Sequence, residues 1–371
     1  MGARKYYDQG ELYYSTIYGG GIYEWTGELV QDPLGGGRGE QCVSPLLVNI
    51  FSDEQFFLKR VSSGDMDRYR KLILSSPKDE CILWPGDMVH LEQETRSICG
   101  LFAAQEYTPT PTPLYERSES EALLFPYGGY PRMIDGARKL AQINDPNWKS
   151  PEIRNMAVEI ARALEHVNRN GCIYADIHLS RLYFTDEGRV FLDFSNLIFP
   201  TQDCLGTWTS TGGQVGPGSY PMEFADPALV QGLIPHMDIH TQNFCLCSLF
   251  FYLFLRRYPY DGQLLTGYPD ETVQQHYVKF RDYHKMPVFI FDPDDTQNSL
   301  GEFWEEQQVV ELWEELPGPL KEIFIRTLRK ENAERTGAVN NPTPSAWLRC
   351  FQELGWYEEK EKSRDLVYEN V

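Results

Sequence analysis

Long apolar runs are missing from this sequence. The longest one, Phe244 to Leu255, is shorter than the roughly 20 residues that a bilayer-spanning helix needs, so we expect no membrane span. The opening residues, MGARKYYDQGELYY, lack the apolar segment of a secretory signal peptide. None of the eight cysteines follows the C-x-x-C spacing that is common in zinc and redox sites. We therefore expect a cytoplasmic protein in a reducing compartment.

Basic residues are also scarce. The chain has 34 Lys and Arg against 54 Asp and Glu, which gives a formal net charge of -20 at pH 7. A field of this sign repels nucleic-acid phosphates and anionic lipids, so we expect neither as a partner. A protein with this charge that binds ATP must gather local positive charge or a metal ion around the phosphates.

The two parts of the chain differ in hydrophobic pattern. In the first part, Leu46 to Ile50 and Gln55 to Val61 are short apolar runs separated by a turn at Ser52 to Glu54, which predicts a β-hairpin. In the second part, Pro151 to Asn170 carries apolar residues at a 3.6-residue period, which predicts an amphipathic helix. Gly171 suits the C-terminal cap of that helix.

The rest of the second part also favours helices. Further helices are predicted over Asn243 to Leu255, Leu320 to Leu328 and Ser345 to Leu354. The proline-alternating stretch Thr108 to Pro113 cannot continue a helix or form a central strand, and we interpret it as a loop. Strands followed by helices predict an α+β fold.

The segment Ile173 to Asn196 carries the strongest chemical signal. Asp176 follows the end of the predicted helix, and Asp193 follows a predicted hairpin of Leu182 to Thr185 and Val190 to Leu192. Phosphoryl transfer needs one carboxylate to accept the proton of the attacking hydroxyl and another to hold Mg²⁺. A single Asp in a loop is more often a turn or capping residue, but the whole pattern is rarer.

This segment resembles the protein-kinase catalytic loop, H-R-D-x-x-x-x-N, followed by the D-F-G metal motif. The resemblance implies a two-lobed protein-kinase-like fold. Residues 1–107 would form a small antiparallel β-rich N-lobe, and residues 108–371 a large, mainly helical C-lobe, with the hinge at about 105–113. It also implies ATP and Mg²⁺ as cofactors, Asp176 as the base and Asp193 as the magnesium ligand.

Upstream residues add to the resemblance. Lys59 is similar to the strand lysine that contacts the nucleotide phosphates in kinases, and Gly35, Gly37 and Gly39 resemble a loop that covers the phosphates. Taken alone, such a lysine is usually solvated, and such glycines usually form a flexible turn. A second glycine cluster at 19–21 leaves open which one is the phosphate loop.

The closest resemblance is to bacterial serine/threonine kinase-like proteins associated with tellurite-resistance-type and von Willebrand-type domains and with metal-dependent phosphatases. Three segments carry it: Cys81 to Pro85, Pro287 to Asp295 and Pro342 to Trp347. Ala225 to Pro227 occupies the place of the kinase A-P-E motif, and Thr241 to Phe244 opens a helix similar to the kinase core helix. The A-P-E-like segment argues against a small-molecule phosphotransferase.

Several residues depart from the kinase pattern. Arg181 replaces the asparagine that binds a second metal, and arginine offers no lone pair to a metal ion. Tyr174 and Ala175 replace His-Arg, Ser195 replaces the D-F-G glycine, and Gln242 replaces the core-helix aspartate. Two functions stay open: a Ser/Thr kinase acting on a protein substrate, in which Arg181 neutralises phosphate charge, and a pseudokinase that scaffolds or regulates a protein partner.

Overall fold

The protein has a mixed α+β architecture with antiparallel strands and helices, as the sequence predicts. The computed structural model describes residues 12–17, 21–31, 43–60, 70, 73–74, 81–83, 85–91, 120–127, 133–175, 177–193, 197–198, 223–235, 237–265, 279, 282–337 and 339–357. The chain divides into two compact units. The first contains Met1–Lys139 and Asn170–Gly216, and the second contains Leu140–Arg169 and Pro217–Val371.

A six-stranded antiparallel sheet forms the larger part of the first unit. Its strands, in the order β1-β2-β3-β4-β7-β6, are β1 (Leu12–Tyr14), β2 (Ile22–Gln31), β3 (Val43–Asn49), β4 (Gln55–Arg60), β6 (Asp87–Leu91) and β7 (Ser120–Pro126). The predicted hairpin is confirmed as β3 and β4, which pair Leu46 with Phe57. Its turn places Asp53 in the left-handed region, at φ 58°, which aspartate tolerates better than most residues.

The two edges of this sheet meet. Ser15, which follows β1, forms a bridge to Val89 of β6, and the Thr16 N–H donates to the Met88 carbonyl at 2.8 Å. The buried Asp87 carboxylate accepts hydrogen bonds of 2.7 Å from both the Ser15 and the Tyr23 hydroxyls. These contacts tie β1, β2 and β6 together around an apolar core.

A smaller sheet and a two-stranded pair complete the first unit. The smaller sheet has the order β5-β11-β10-β8, with β5 (Ile82–Leu83), β8 (Met133–Asp135), β10 (Leu182–Thr185) and β11 (Val190–Asp193). The pair consists of β9 (Ile173–Tyr174) and β12 (Leu197–Ile198). The predicted β10–β11 hairpin is confirmed, and its turn uses Gly188 at φ 84°.

The elements described in the second unit are helical. α1 (Gly136–Ala141) crosses the boundary between the units. It is followed by α2 (Pro151–Arg169), α3 (Pro227–Val230), α4 (Ile239–Leu255), α5 (Trp304–Glu315), α6 (Gly318–Leu328), α7 (Lys330–Ala333) and α8 (Pro344–Glu353). The helices predicted at α2, α4, α6 and α8 are confirmed, with ends shifted by a few residues. Gly171, at φ 73°, has the left-handed conformation expected of a helix C-terminus.

The core of this unit surrounds α4. That helix is apolar on all sides, and Phe250, which is fully buried, meets the ring of Trp347 edge-on at 5.0 Å. The rings of Phe351 and Phe324 continue the same cluster. Cys245 and Cys247 of α4 are buried in the same core.

The predicted lobe boundary between 107 and 108, and the hinge at 105–113, lie outside the described residues. The sheet itself includes β7, which pairs with both β4 and β6. We find no helix in the described ranges with the length and apolar character needed to cross a membrane.

Candidate functional site

The loop that carries Asp176 is bounded by two strand pairings. Tyr174 of β9 pairs with Leu197 of β12 in antiparallel register. Asp176 comes two residues after Tyr174, and Asp193 comes four residues before Leu197. Because the strands are antiparallel, the chain leaves Tyr174 and enters Leu197 at the same end of the pair. Asp176 itself lies outside the described residues, and of Asp193 only the backbone is described.

Arg181 and Asp193 lie at the open end of the β10–β11 hairpin. Leu182 pairs with Leu192 in the antiparallel register of this hairpin. Arg181 ends the 3-10 turn directly before β10, and Asp193 follows Leu192 as the last residue of β11. The residue that replaces the kinase asparagine thus lies at the same end of the hairpin as the expected metal ligand. Arg181 is exposed, which suits a guanidinium that remains charged at physiological pH.

Tyr174 closes the loop between β9 and β10. Its ring is fully buried, and its hydroxyl donates a 3.0 Å hydrogen bond to the backbone carbonyl of Arg181. This bond joins the last residue of β9 to the last residue of the loop. Sequence reasoning treated Tyr174 only as the loss of a kinase histidine and missed this contact.

A single 3-10 turn, Leu179–Arg181, forms the last part of the loop. The His178 Nδ1 accepts a 3.2 Å hydrogen bond from the Ser180 backbone N–H and lies 2.7 Å from the Ser180 hydroxyl. The Arg181 N–H donates to the His178 carbonyl at 2.9 Å. Ile177 and Leu179 are buried, so the loop has its own apolar anchors.

Gly136, at the start of α1, makes a close approach to this turn. A Cβ atom at Gly136 would lie 2.8 Å from the Leu179 carbonyl oxygen and 2.9 Å from the ring of Phe184. Only glycine fits this space without movement of the neighbouring backbone. The turn that ends in Arg181 is therefore held from this side by the β8–α1 connection, a contact that sequence reasoning missed.

Of the other predicted site residues, Lys59 lies in the same compact unit. The Lys59 backbone is in β4, opposite Leu123 of β7, and its side chain is not described. Gly35, Gly37 and Gly39 belong to the chain between β2 and β3 and lie outside the described residues.

β5 connects the strand that carries Asp193 to the large sheet. Asp193 pairs in parallel register with Leu83, and the Leu192 N–H donates to the Cys81 carbonyl at 2.9 Å. The chain continues from β5 into β6 of the six-stranded sheet. Within the part of the chain that the structure describes, no three His, Cys, Asp or Glu side chains are grouped closely enough to hold a metal ion.

In the second unit, Asp226 of the A-P-E-like segment has a structural role. Asp226 is fully buried and caps α3 by accepting a 3.0 Å hydrogen bond from the Ala228 N–H. Its carboxylate also forms a buried two-point ion pair with Arg335. Burial raises the pKa of Asp226 to about 6, and the Arg335 guanidinium opposes that rise.

Gln242, which replaces the core-helix aspartate of kinases, is also fully buried. Its Nε2 donates a 3.1 Å hydrogen bond to the Asn168 Oδ1 near the end of α2. The amide therefore connects α4 to α2 within the second unit, and it does so without adding a buried charge.

Comparison with known proteins does not add a relationship: no family model matches this chain, and a search of curated proteins found no match either.

Proposed function

We propose that this chain is a protein-kinase-like protein that binds ATP through the segment Ile173 to Asn196. The observation that carries the proposal is the paired register of β9–β12 and β10–β11. Arg181 comes directly before β10 and Asp193 ends β11, so both lie at one end of that hairpin, and the Tyr174 hydroxyl at the end of β9 contacts the Arg181 carbonyl. A phosphoryl-transfer site needs this convergence, because the proton acceptor and the metal ligand act on the same phosphate.

The order of strands in the large sheet supports the same proposal. Protein kinases carry the phosphate-contacting lysine on the third strand, after a glycine-rich connection between the first two. Here the chain from β2 to β3 contains Gly35, Gly37 and Gly39, and Lys59 is in β4, the next neighbour in the sheet. In this proposal the large sheet belongs to the smaller of two lobes.

The proposed roles follow from side-chain chemistry. Asp176 accepts the proton of a Ser or Thr hydroxyl on a protein substrate, and Lys59 contacts the nucleotide phosphates. Asp193 holds Mg²⁺, which supplies charge neutralisation at the β- and γ-phosphates when it is bound. In this proposal Asp193 would provide a carboxylate ligand to one such ion, but Arg181 cannot provide a ligand for a second.

Arg181 favours a second candidate function, that of a pseudokinase. It lies at the same end of the β10–β11 hairpin as Asp193, so in this version a fixed positive charge takes the place of the asparagine ligand. Such a charge repels Mg²⁺ and favours a protein that binds nucleotide but transfers phosphate poorly. We favour this version, with a protein partner that the chain scaffolds or regulates.

The experiment that tests the proposal is thermal denaturation with ATP, with and without Mg²⁺ or Mn²⁺, followed by calorimetry. We expect ATP to raise the melting temperature, since a ligand that binds only the folded state stabilises it. Lys59→Ala should remove the shift, whereas Lys330→Ala, which removes an exposed lysine in the second unit, should leave it intact. Absence of any shift or heat at millimolar ATP would overturn nucleotide binding.

A further inference from the structure

Two adjacent aromatic side chains at the start of α5 are exposed to an unusual degree. Phe303 and Trp304 are each 72% exposed, whereas Phe250, Trp347 and Phe351 of the same unit are fully buried. We propose that these two rings and the carboxylates beside them form a docking surface for a basic, arginine-containing segment of a partner protein. This inference is independent of the proposed nucleotide site.

The backbone beneath the two rings is fixed by hydrogen bonds. The Glu306 Oε2 accepts from the Gly301 N–H at 2.9 Å, and the Gln307 side chain donates to the Gly301 carbonyl at 2.8 Å. The N–H groups of Glu306 and Gln307 both donate to the Phe303 carbonyl at 2.9 Å. A rigid base lowers the ordering cost of binding, which favours a docking role for the rings.

The surface around the rings is acidic. Glu302, Glu305 and Glu311 are exposed, and they make no ion pair with another residue of the described ranges. The cation beside Glu306 is Arg257, which already contacts Glu306 at 3.4 Å and Asp261 at 3.5 Å. The patch therefore presents uncompensated negative charge next to two aromatic faces.

Exposed aromatic rings beside carboxylates favour one partner chemistry, that of arginine. A guanidinium pairs with carboxylates in a planar, two-point geometry and also stacks on aromatic faces, so arginine satisfies both features at once. Anionic lipid and a second copy of this chain are poorer matches, because both would bring negative charge to a negative surface. The chain itself carries a net charge of -20.

The test measures binding of a short labelled peptide of alternating arginine and glycine to the full chain by fluorescence anisotropy. We expect binding that weakens as salt rises, and no binding of the matched glutamate–glycine peptide. The double variant Phe303→Ser/Trp304→Ser should weaken binding by at least about tenfold, the loss typical of a buried aromatic anchor. The triple variant Glu302→Gln/Glu305→Gln/Glu311→Gln should weaken binding and flatten its salt dependence.

Two matched controls separate this surface from the overall charge of the chain. Ile50→Ser/Phe51→Ser removes an exposed apolar pair from the turn after β3, where Phe51 is 71% exposed. Glu28→Gln/Glu331→Gln/Glu353→Gln removes the same number of exposed carboxylates elsewhere. Both controls should bind the arginine peptide like the wild type.

Equal losses in the control and test variants would mean that only the overall charge attracts the peptide, and would overturn the proposal. A dimer that becomes monomeric in Phe303→Ser/Trp304→Ser would identify a second copy as the occupant and would also overturn it. Because no nucleotide is present, a failure of ATP binding does not affect either result.

Discussion

At the residue scale, Arg181 separates the two proposed functions. If its charge blocks the metal, Arg181→Asn should restore a ligand oxygen and make nucleotide affinity depend more strongly on Mg²⁺. Arg181→Ala removes the charge without adding a ligand, so it serves as the matched control. Calorimetry with ATP across a Mg²⁺ series measures both variants, and we expect a small gain in Arg181→Ala, from the lost repulsion, and a larger gain in Arg181→Asn, from the added ligand.

The opposite outcome has a clear signature. If Arg181 neutralises phosphate charge during transfer, the wild type should phosphorylate itself and Arg181→Ala should lose that activity. Autophosphorylation that is present in the wild type and absent in Asp176→Asn would contradict the pseudokinase version and identify an active kinase.

Tyr174 acts on the same loop through one hydrogen bond. Tyr174→Phe keeps the buried ring but removes the donor to the Arg181 carbonyl, so the free energy of unfolding should fall by about 0.5–1.5 kcal/mol. Urea denaturation measures the loss. Tyr14→Phe, at a tyrosine that is 57% exposed, should change stability little. If the two variants behave alike, the hydrogen bond does not stabilise the loop.

At the element scale, the Asp226–Arg335 ion pair joins α3 to the turn that follows α7. Arg335→Ala leaves a buried carboxylate without its cation, which should lower the free energy of unfolding by about 3–5 kcal/mol. Arg138→Ala breaks an ion pair in which the arginine side chain is 56% exposed, and it should cost at most about 1 kcal/mol. Chemical denaturation of the two variants gives the comparison.

The same pair predicts a pH dependence. The folded-state pKa of Asp226, about 6, lies above the ordinary pKa of an aspartate side chain. Protonated Asp226 therefore adds to the free energy of unfolding at low pH. This stabilisation is lost as the pH rises through the folded-state pKa. The cost of Arg335→Ala should accordingly be larger at neutral pH than near about pH 5. An equal cost at both pH values would mean that Asp226 stays ionised throughout.

At the scale of the whole molecule, the negative charge governs long-range association. With a net charge of -20, the chain should not shift labelled duplex DNA in a gel at low salt, where electrostatic binding is strongest. The arginine peptide provides the positive control, because the same field attracts it. A DNA complex that forms at low salt and dissociates as the salt concentration rises would show that a local basic surface outweighs the net charge.

Local pattern alone predicted several elements. The 3.6-residue period gave α2, and the acidic, glycine-containing turn gave the β10–β11 hairpin with Gly188 at its corner. Both signals arise between residues that are close along the chain, so they survive without tertiary context. The pattern also put Asp176 and Asp193 on either side of that hairpin, which is why the candidate site was visible from the sequence.

Features that depend on contacts between residues far apart in the chain were visible only in the tertiary structure. The insertion of β7 between β4 and β6, and the bridge from Ser15 to Val89, join segments that local periodicity cannot relate. The Asp226–Arg335 ion pair likewise spans 109 positions of the chain. The sequence by itself therefore determined several of the elements, the charge and the chemical types at the candidate site. Only the folded chain determined the partners of these residues, because burial and register are fixed by contacts between remote segments.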